Sequence, residues 1–193
     1  MHPTLDTRDT VCVVRQPILD ESGRVFAYEL LYREDVPEAE VGAQDLGHAR
    51  VLTDAVLSLG LDTLTDGLPA FLSLSRELLV REAGTLLPQA SVVLELPKHV
   101  VADDEVVQAC RRLFGLGYRL SLHGLGSTSD AERLLPFVKF VKVDPSQLTP
   151  SARQALPAQC ASRSIQTIAE RVETFEAARE LQALGFNLFQ GYY

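Results

Sequence analysis

What most constrains this chain is a repeat of short apolar strands, each followed by an amphipathic helix. Residues 70–75, 91–96, 118–122, 140–144, 164–169 and 187–190 are strand-like runs rich in Val, Leu, Ile and Phe. Between them, 76–87, 103–116, 129–137, 149–159 and 174–184 carry helical patterning, the last ended by Gly185. Strands alternating with helices every 20–30 residues call for a parallel sheet with helical crossovers. Two further strands stand in front, at 11–19 and 24–33, joined through Asp20–Gly23. A four-residue link suits a hairpin, so this first pair is expected to be antiparallel. Pro17 fits an edge or a strand end better than a central position, because it has no N–H to give a ladder.

Polar residues at the strand ends narrow the choice further. Glu29, Ser73, Glu95, His123, Lys142 with Asp144, Glu170 and Gln190 fall at or near successive C-terminal ends. In a closed α/β barrel those ends converge on one rim, where active sites are built. An open doubly wound sheet gathers its ligand groups at one switch point, usually behind a Gly-rich first turn. Neither GxGxxG nor GxxxxGK occurs. The expected fold is therefore an α/β, TIM-like (β/α) barrel with an antiparallel first strand pair. Period-two alternation in the second strand puts Glu29 and Arg33 on one face and Phe26, Tyr28, Leu30 and Tyr32 on the other.

Composition sets bounds. At 193 residues and 46% hydrophobic, the chain suits one substantial core. Its net charge of −8 argues against a nucleic-acid surface, though not against a small nucleotide ligand. Cys12, Cys110 and Cys160 are odd in number, lack CxxC spacing and read as reduced thiols. With no apolar run near the roughly 18 residues of a membrane span, and a polar start carrying Asp6 and Asp9, a cytoplasmic protein is expected. Residues 1–10 read as a lead-in, 34–44 as an acidic loop, and a helix follows from about Asp45 with Val51, Leu52, Ala55, Val56 and Leu59 on its apolar face.

Six motifs, in order and in register, resemble the EAL domains, the cyclic di-GMP phosphodiesterases and their relatives. They are Gln16-Pro17-Ile18, Glu29-Leu30-Leu31 with Arg33, Glu95, Lys142-Val143-Asp144, the run Ala169-Glu170-Arg171-Val172-Glu173-Thr174, and Gln190-Gly191-Tyr192. The resemblance covers residues 11–193, and its phrasing is most similar to the branch in which an HDOD domain follows, which leaves room for a further domain in the native chain. It implies two-metal phosphodiester hydrolysis on carboxylates. Carried over by position, Glu29, Glu95 and Glu170 are metal ligands, Lys142 and Asp144 are catalytic, and Gln16, Arg33 and Gln190 touch the ligand.

The departures fall on the metals. An expected Asn is Ser73, two successive Asp are His123 and Gly124, a supporting Glu is Lys98, and the Gly after Glu170 is Arg171. Gly124 supplies no side-chain ligand, Ser73 is shorter than an amide, and a neutral imidazole is a poor ligand for Mg²⁺. The expectation is a degenerate regulatory module acting through a protein partner or self-association, with cyclic di-GMP as the small-molecule partner to test. No cofactor is expected, and Mg²⁺ or Mn²⁺ only where residual phosphodiesterase activity survives. A cyclic di-GMP receptor without turnover is the alternative, followed by an enzyme with one metal on Glu29, Glu95 and His123. Losing the metals leaves Glu29, Glu95, Asp144 and Glu170 facing one cavity, a crowding that a protonated His123 relieves in part.

Overall fold

The computed structural model describes residues 12–33, 60–96, 100–124 and 129–191. The acidic loop, the helix expected from Asp45 and Lys98 lie outside these residues. Eight strands close into a barrel in chain order. They are β1 (Cys12–Asp20), β2 (Val25–Arg33), β3 (Ala70–Ser73), β4 (Val92–Leu96), β5 (Arg119–His123), β6 (Phe140–Val143), β7 (Gln166–Val172) and β8 (Leu188–Gly191). Strands β2 to β8 run parallel, while β1 is antiparallel to both its neighbours, β2 and β8.

The hairpin forms because Asp20 organises it. Its carbonyl accepts the Gly23 N–H at 2.9 Å, and its carboxylate accepts the N–H groups of Ser22 and Arg24. Pro17 stands well inside β1, opposite Tyr28, but among the described residues β1 meets β8 only at Leu19 and Asp20. The part of β1 that holds the proline thus has an edge without a β8 ladder. A register irregularity beside Ile18 leaves Phe26 between the paired residues Val25 and Ala27. Phe26 packs toward the barrel interior, 6.0 Å from the Phe140 ring, and not with Tyr28 and Leu30 as simple alternation predicts.

Around the barrel run α1 (Leu61–Thr65), α2 (Arg76–Val80), α3 (Asp104–Gly115), α4 (Ser129–Leu134), α5 (Pro150–Ala161) and α6 (Phe175–Ala183). Ser75, Asp103, Thr149 and Thr174 cap four of them, each accepting the N–H three residues on. The expected helix over 76–87 is two pieces, because Glu82 takes φ +56° and a 3₁₀ turn follows at Ala83–Leu86. Outward-facing Leu72, Leu94, Leu120, Val141, Ala169 and Phe189 pack against helix residues such as Leu79, Val106, Leu113 and Leu181. Inward-facing Ile18, Ala27, Phe71, Val93, Phe140, Ile168 and Leu188 form a separate cluster, with Phe71 and Phe140 edge-to-face at 5.2 Å. Seven strands each give one side chain to this plug, and Ser121 of β5 holds the eighth place, wholly buried. An apolar plug of this kind makes a floor on which a site can stand.

Candidate functional site

Strand periodicity dictates what lies above the plug. Two residues further along β2 to β8, and two residues earlier on the reversed β1, the inward positions are Gln16, Glu29, Ser73, Glu95, His123, Lys142, Glu170 and Gln190. One polar residue thus comes from every strand, and Gln16 and Glu29 are directly paired. Glu29, Glu95, Lys142, Glu170 and Gln190 are buried. Burying that much polarity is tolerable only when the groups satisfy one another.

They do so as a chain of alternating charge. Gln190 Nε2 donates to Glu29 Oε2 at 2.5 Å. Lys142 Nζ lies 2.8 Å from the same oxygen and 3.5 Å from Glu95 Oε1. On the other side of Glu95, His123 Nδ1 is 3.6 Å from Oε1, and His123 Nε2 is 2.9 Å from Glu170 Oε2. Two cations therefore sit between three carboxylates. Burial alone pulls the His123 imidazole down, but hydrogen bonding and charge from Glu170 and Glu95 outweigh it and hold it up at about 9. Lys142 is pulled down by burial and raised more strongly by Glu95 and Glu29, so it stays charged. Burial pushes Glu95 up, and Lys142 with His123 brings it below the ordinary carboxylate range.

Asp144 does not join this chain. Strand β6 ends at Val143, and Asp144 turns away to cap the next 3₁₀ turn. Its Oδ1 accepts from the Ser146 N–H and hydroxyl at 2.9 and 2.6 Å, and its Oδ2 from Gln147 Nε2 at 3.1 Å. The expected crowding of four carboxylates is thus one of three, since Asp144 has partners of its own. Arg33 closes β2, and its side chain lies outside the described residues.

A cleft of about 450 Å³ opens over the ring, lined among others by Gln16, Glu29, His123, Lys142, Arg171 and Glu173. Its shape depends on a bulge in β7. Ala169 pairs with Phe189 but Val172 with Gly191, so three residues on β7 span two on β8. Arg171 sits in that bulge at φ +57°, a conformation costing a non-glycine residue about 1–2 kcal/mol. Gly191 is needed opposite, because a Cβ there would lie 1.7 Å from the Val172 carbonyl oxygen. Sequence reasoning saw Arg171 only as a missing glycine and Gly191 only as part of a Gln-Gly-Tyr motif. The signal that joins them is the odd spacing of a bulge, which pattern alone does not reveal.

Against a metal pair, the donor set is thin. Among the described residues no three His, Cys, Asp or Glu side chains are grouped to hold an ion. Lys142 and His123 occupy the approaches between the carboxylates, Gly124 takes φ +85° without a side chain, and Ser73 offers one hydroxyl. Glu95 Oε2 and Ser121 Oγ, on residues paired across β4 and β5, are buried without a hydrogen-bond partner among the described residues. Carboxylates interleaved with Lys142 and His123, and lone hydroxyls at Ser73 and Ser121, fit poorly to two divalent ions that each want about six oxygens.

The family profile described as EAL domain matches residues 4–193. The chain belongs to the EAL domain family. A curated relative of this EAL domain is the Vibrio cholerae protein named Cyclic di-GMP phosphodiesterase CdgJ, 31% identical over 196 residues, covering 100% of this chain and 45% of the relative. The Bacillus subtilis protein YuxH, named as uncharacterized, is 28% identical over 190 residues, or 95% of this chain and 46% of its own. The EAL domain thus spans under half the length of these curated relatives. Among solved structures, the PaMucR phosphodiesterase in a c-di-GMP complex superposes with a TM-score of 0.75 at 22% identity, over 95% of this chain and 94% of that one. That likeness confirms the TIM-like EAL barrel. No helix among the described residues of this EAL domain is long and apolar enough to cross a membrane.

Proposed function

We propose that this EAL domain is a signalling module that does not hydrolyse cyclic di-GMP and acts through protein contacts, with a partner or with a second copy. The observation that carries the reading is the ion chain itself, in which Lys142 and His123 neutralise Glu29, Glu95 and Glu170 from within the protein. Carboxylates already paired at 2.8 and 2.9 Å have little left to offer a divalent cation. Positions 73, 123 and 124 hold Ser, His and Gly, none of them a good donor to Mg²⁺. The relative named as a phosphodiesterase speaks for hydrolysis in its own chain, and these residues speak against it in this one. Incubating the protein with cyclic di-GMP and Mn²⁺ and separating the products by ion exchange tests this. No linear dinucleotide is expected above the protein-free control. Turnover that disappears in Glu29→Ala overturns the reading.

A second reading, a cyclic di-GMP receptor without turnover, is favoured by the cleft. Its volume of about 450 Å³ lies over the ring, and Gln16 stands in its wall. Gln190, the other glutamine, is engaged with Glu29 and would have to exchange that hydrogen bond for one to the ligand. Calorimetric titration with the nucleotide in EDTA decides: measurable heat supports a receptor, and none at high micromolar concentration removes it.

A further inference from the structure

Arg171 is the cation of the cleft that the ion chain leaves out. It occupies a left-handed backbone position at φ +57°, in the β7 bulge, where such bulges ordinarily use glycine. Its side chain is 69% exposed and lines the same cleft as Gln16, His123 and Lys142. The guanidinium stands 3.5 Å from Asp144 Oδ2 and forms no hydrogen bond among the described residues. Asp144 is already satisfied by Ser146 and Gln147, so it steers the guanidinium by charge without taking up its N–H groups. Below, Lys142 and His123 are held by carboxylates, and only Glu173 adds a further acid to the cleft lining. A strained arginine with free donors, at the mouth of a cleft whose other cations are engaged, is placed to meet an anion from solvent.

We infer that Arg171 is a phosphate-recognition residue, its guanidinium gripping the oxygens of a nucleotide phosphodiester at the cleft mouth without a metal. The inference rests on the receptor reading above. A planar fork of donors suits two phosphate oxygens at once, which a lysine does not match. Recognition of the anion thereby moves from metal ions in the barrel to a side chain on its rim. Arg171 contributes binding alone, and no bond is made or broken.

The test is calorimetry with cyclic di-GMP in EDTA on the wild type, Arg171→Ala, Arg171→Lys and Arg171→Gly, together with the Arg171 Nε–H resonance in ¹⁵N spectra. The glycine variant suits the backbone conformation and guards against misfolding. All three substitutions are expected to weaken binding 10-fold or more, lysine least, and the Nε–H signal to shift on titration. Unchanged affinity in Arg171→Ala and Arg171→Gly overturns the proposal and leaves the receptor reading standing. If the wild type takes no cyclic di-GMP, the receptor reading falls, and pyrophosphate becomes the probe. A saturable pyrophosphate shift at Arg171 then supports anion recognition there, and an unmoved resonance overturns it.

Discussion

Replacing Lys142 by Met keeps the length and apolar stem of the side chain and deletes its charge. In the wild type the ammonium is almost wholly buried, 2.8 Å from Glu29 Oε2 and 3.5 Å from Glu95 Oε1. Its removal leaves two buried carboxylates facing a thioether, with Gln190 as the remaining partner of Glu29 and His123 as that of Glu95. Breaking a buried ion pair from one side costs about 3–5 kcal/mol, because the orphaned charge keeps its desolvation penalty. In a domain of this size each kcal/mol moves Tm by about 2–4 °C, so a fall of roughly 6–20 °C is expected. The double variant Glu29→Gln/Lys142→Met should regain part of the loss, by a coupling of about 0.5–3 kcal/mol. Thermal and urea melts of the four proteins (wild type, the two single variants and the double variant) give these numbers. A Lys142→Met protein within 1 kcal/mol of wild type, or an additive double variant, refutes the claim that the ion chain holds the ring together.

Three further outcomes follow from the same geometry. The His123 imidazole, held at about 9 against an ordinary 6.5, contributes stability that is fully present below pH 6.5 and lost as pH rises through 9. That contribution is on the order of 3 kcal/mol, and a His123→Gln protein should lose the pH dependence across this window in melts, while an NMR titration of His123 at 6.5 would contradict it. Arg171→Gly releases the left-handed strain at φ +57° and should stabilise the fold by about 1 kcal/mol in urea melts, whereas a net loss shows that the Asp144 contact outweighs the strain. Gly191→Ala places a Cβ 1.7 Å from the Val172 oxygen and should cost about 3 kcal/mol by parting β7 from β8, a loss that near-wild-type melting would exclude.

Sequence and structure agree best where one physical rule governs. Period-two alternation, applied strand by strand, places Glu29, Ser73, Glu95, His123, Lys142, Glu170 and Gln190 on one ring, because a barrel interior turns alternate residues inward whatever they are. The helix starts were legible for a similar reason, as Asp103, Thr149 and Thr174 each cap from the position that their side chains favour. Alternation alone does not show the local partners of Asp144, because the strand ends one residue before it and an Asp followed by Pro-Ser-Gln finds N–H and amide donors at once. The two bulges were invisible, since an inserted residue changes register without changing composition. That is how Phe26 moved to the inner cluster and Arg171 to the rim. His123 was visible as a departure, but its role depends on a 2.9 Å contact with a residue 47 positions away.

The ring also shows how a buried layer of acids can be balanced by side chains of the same barrel. Three carboxylates in a buried layer need counter-charge, and in a metal-dependent site the ions supply it. His123 places a cation between Glu95 and Glu170. Gly124, next to it, adds no side-chain charge to the ring. With Lys142 already between Glu29 and Glu95, two positive groups then face three negative ones, and Gln190 bonds to the most crowded oxygen. Each of the three acids faces a cation that is covalently part of the chain. The three acids and two cations thereby balance one another within the chain.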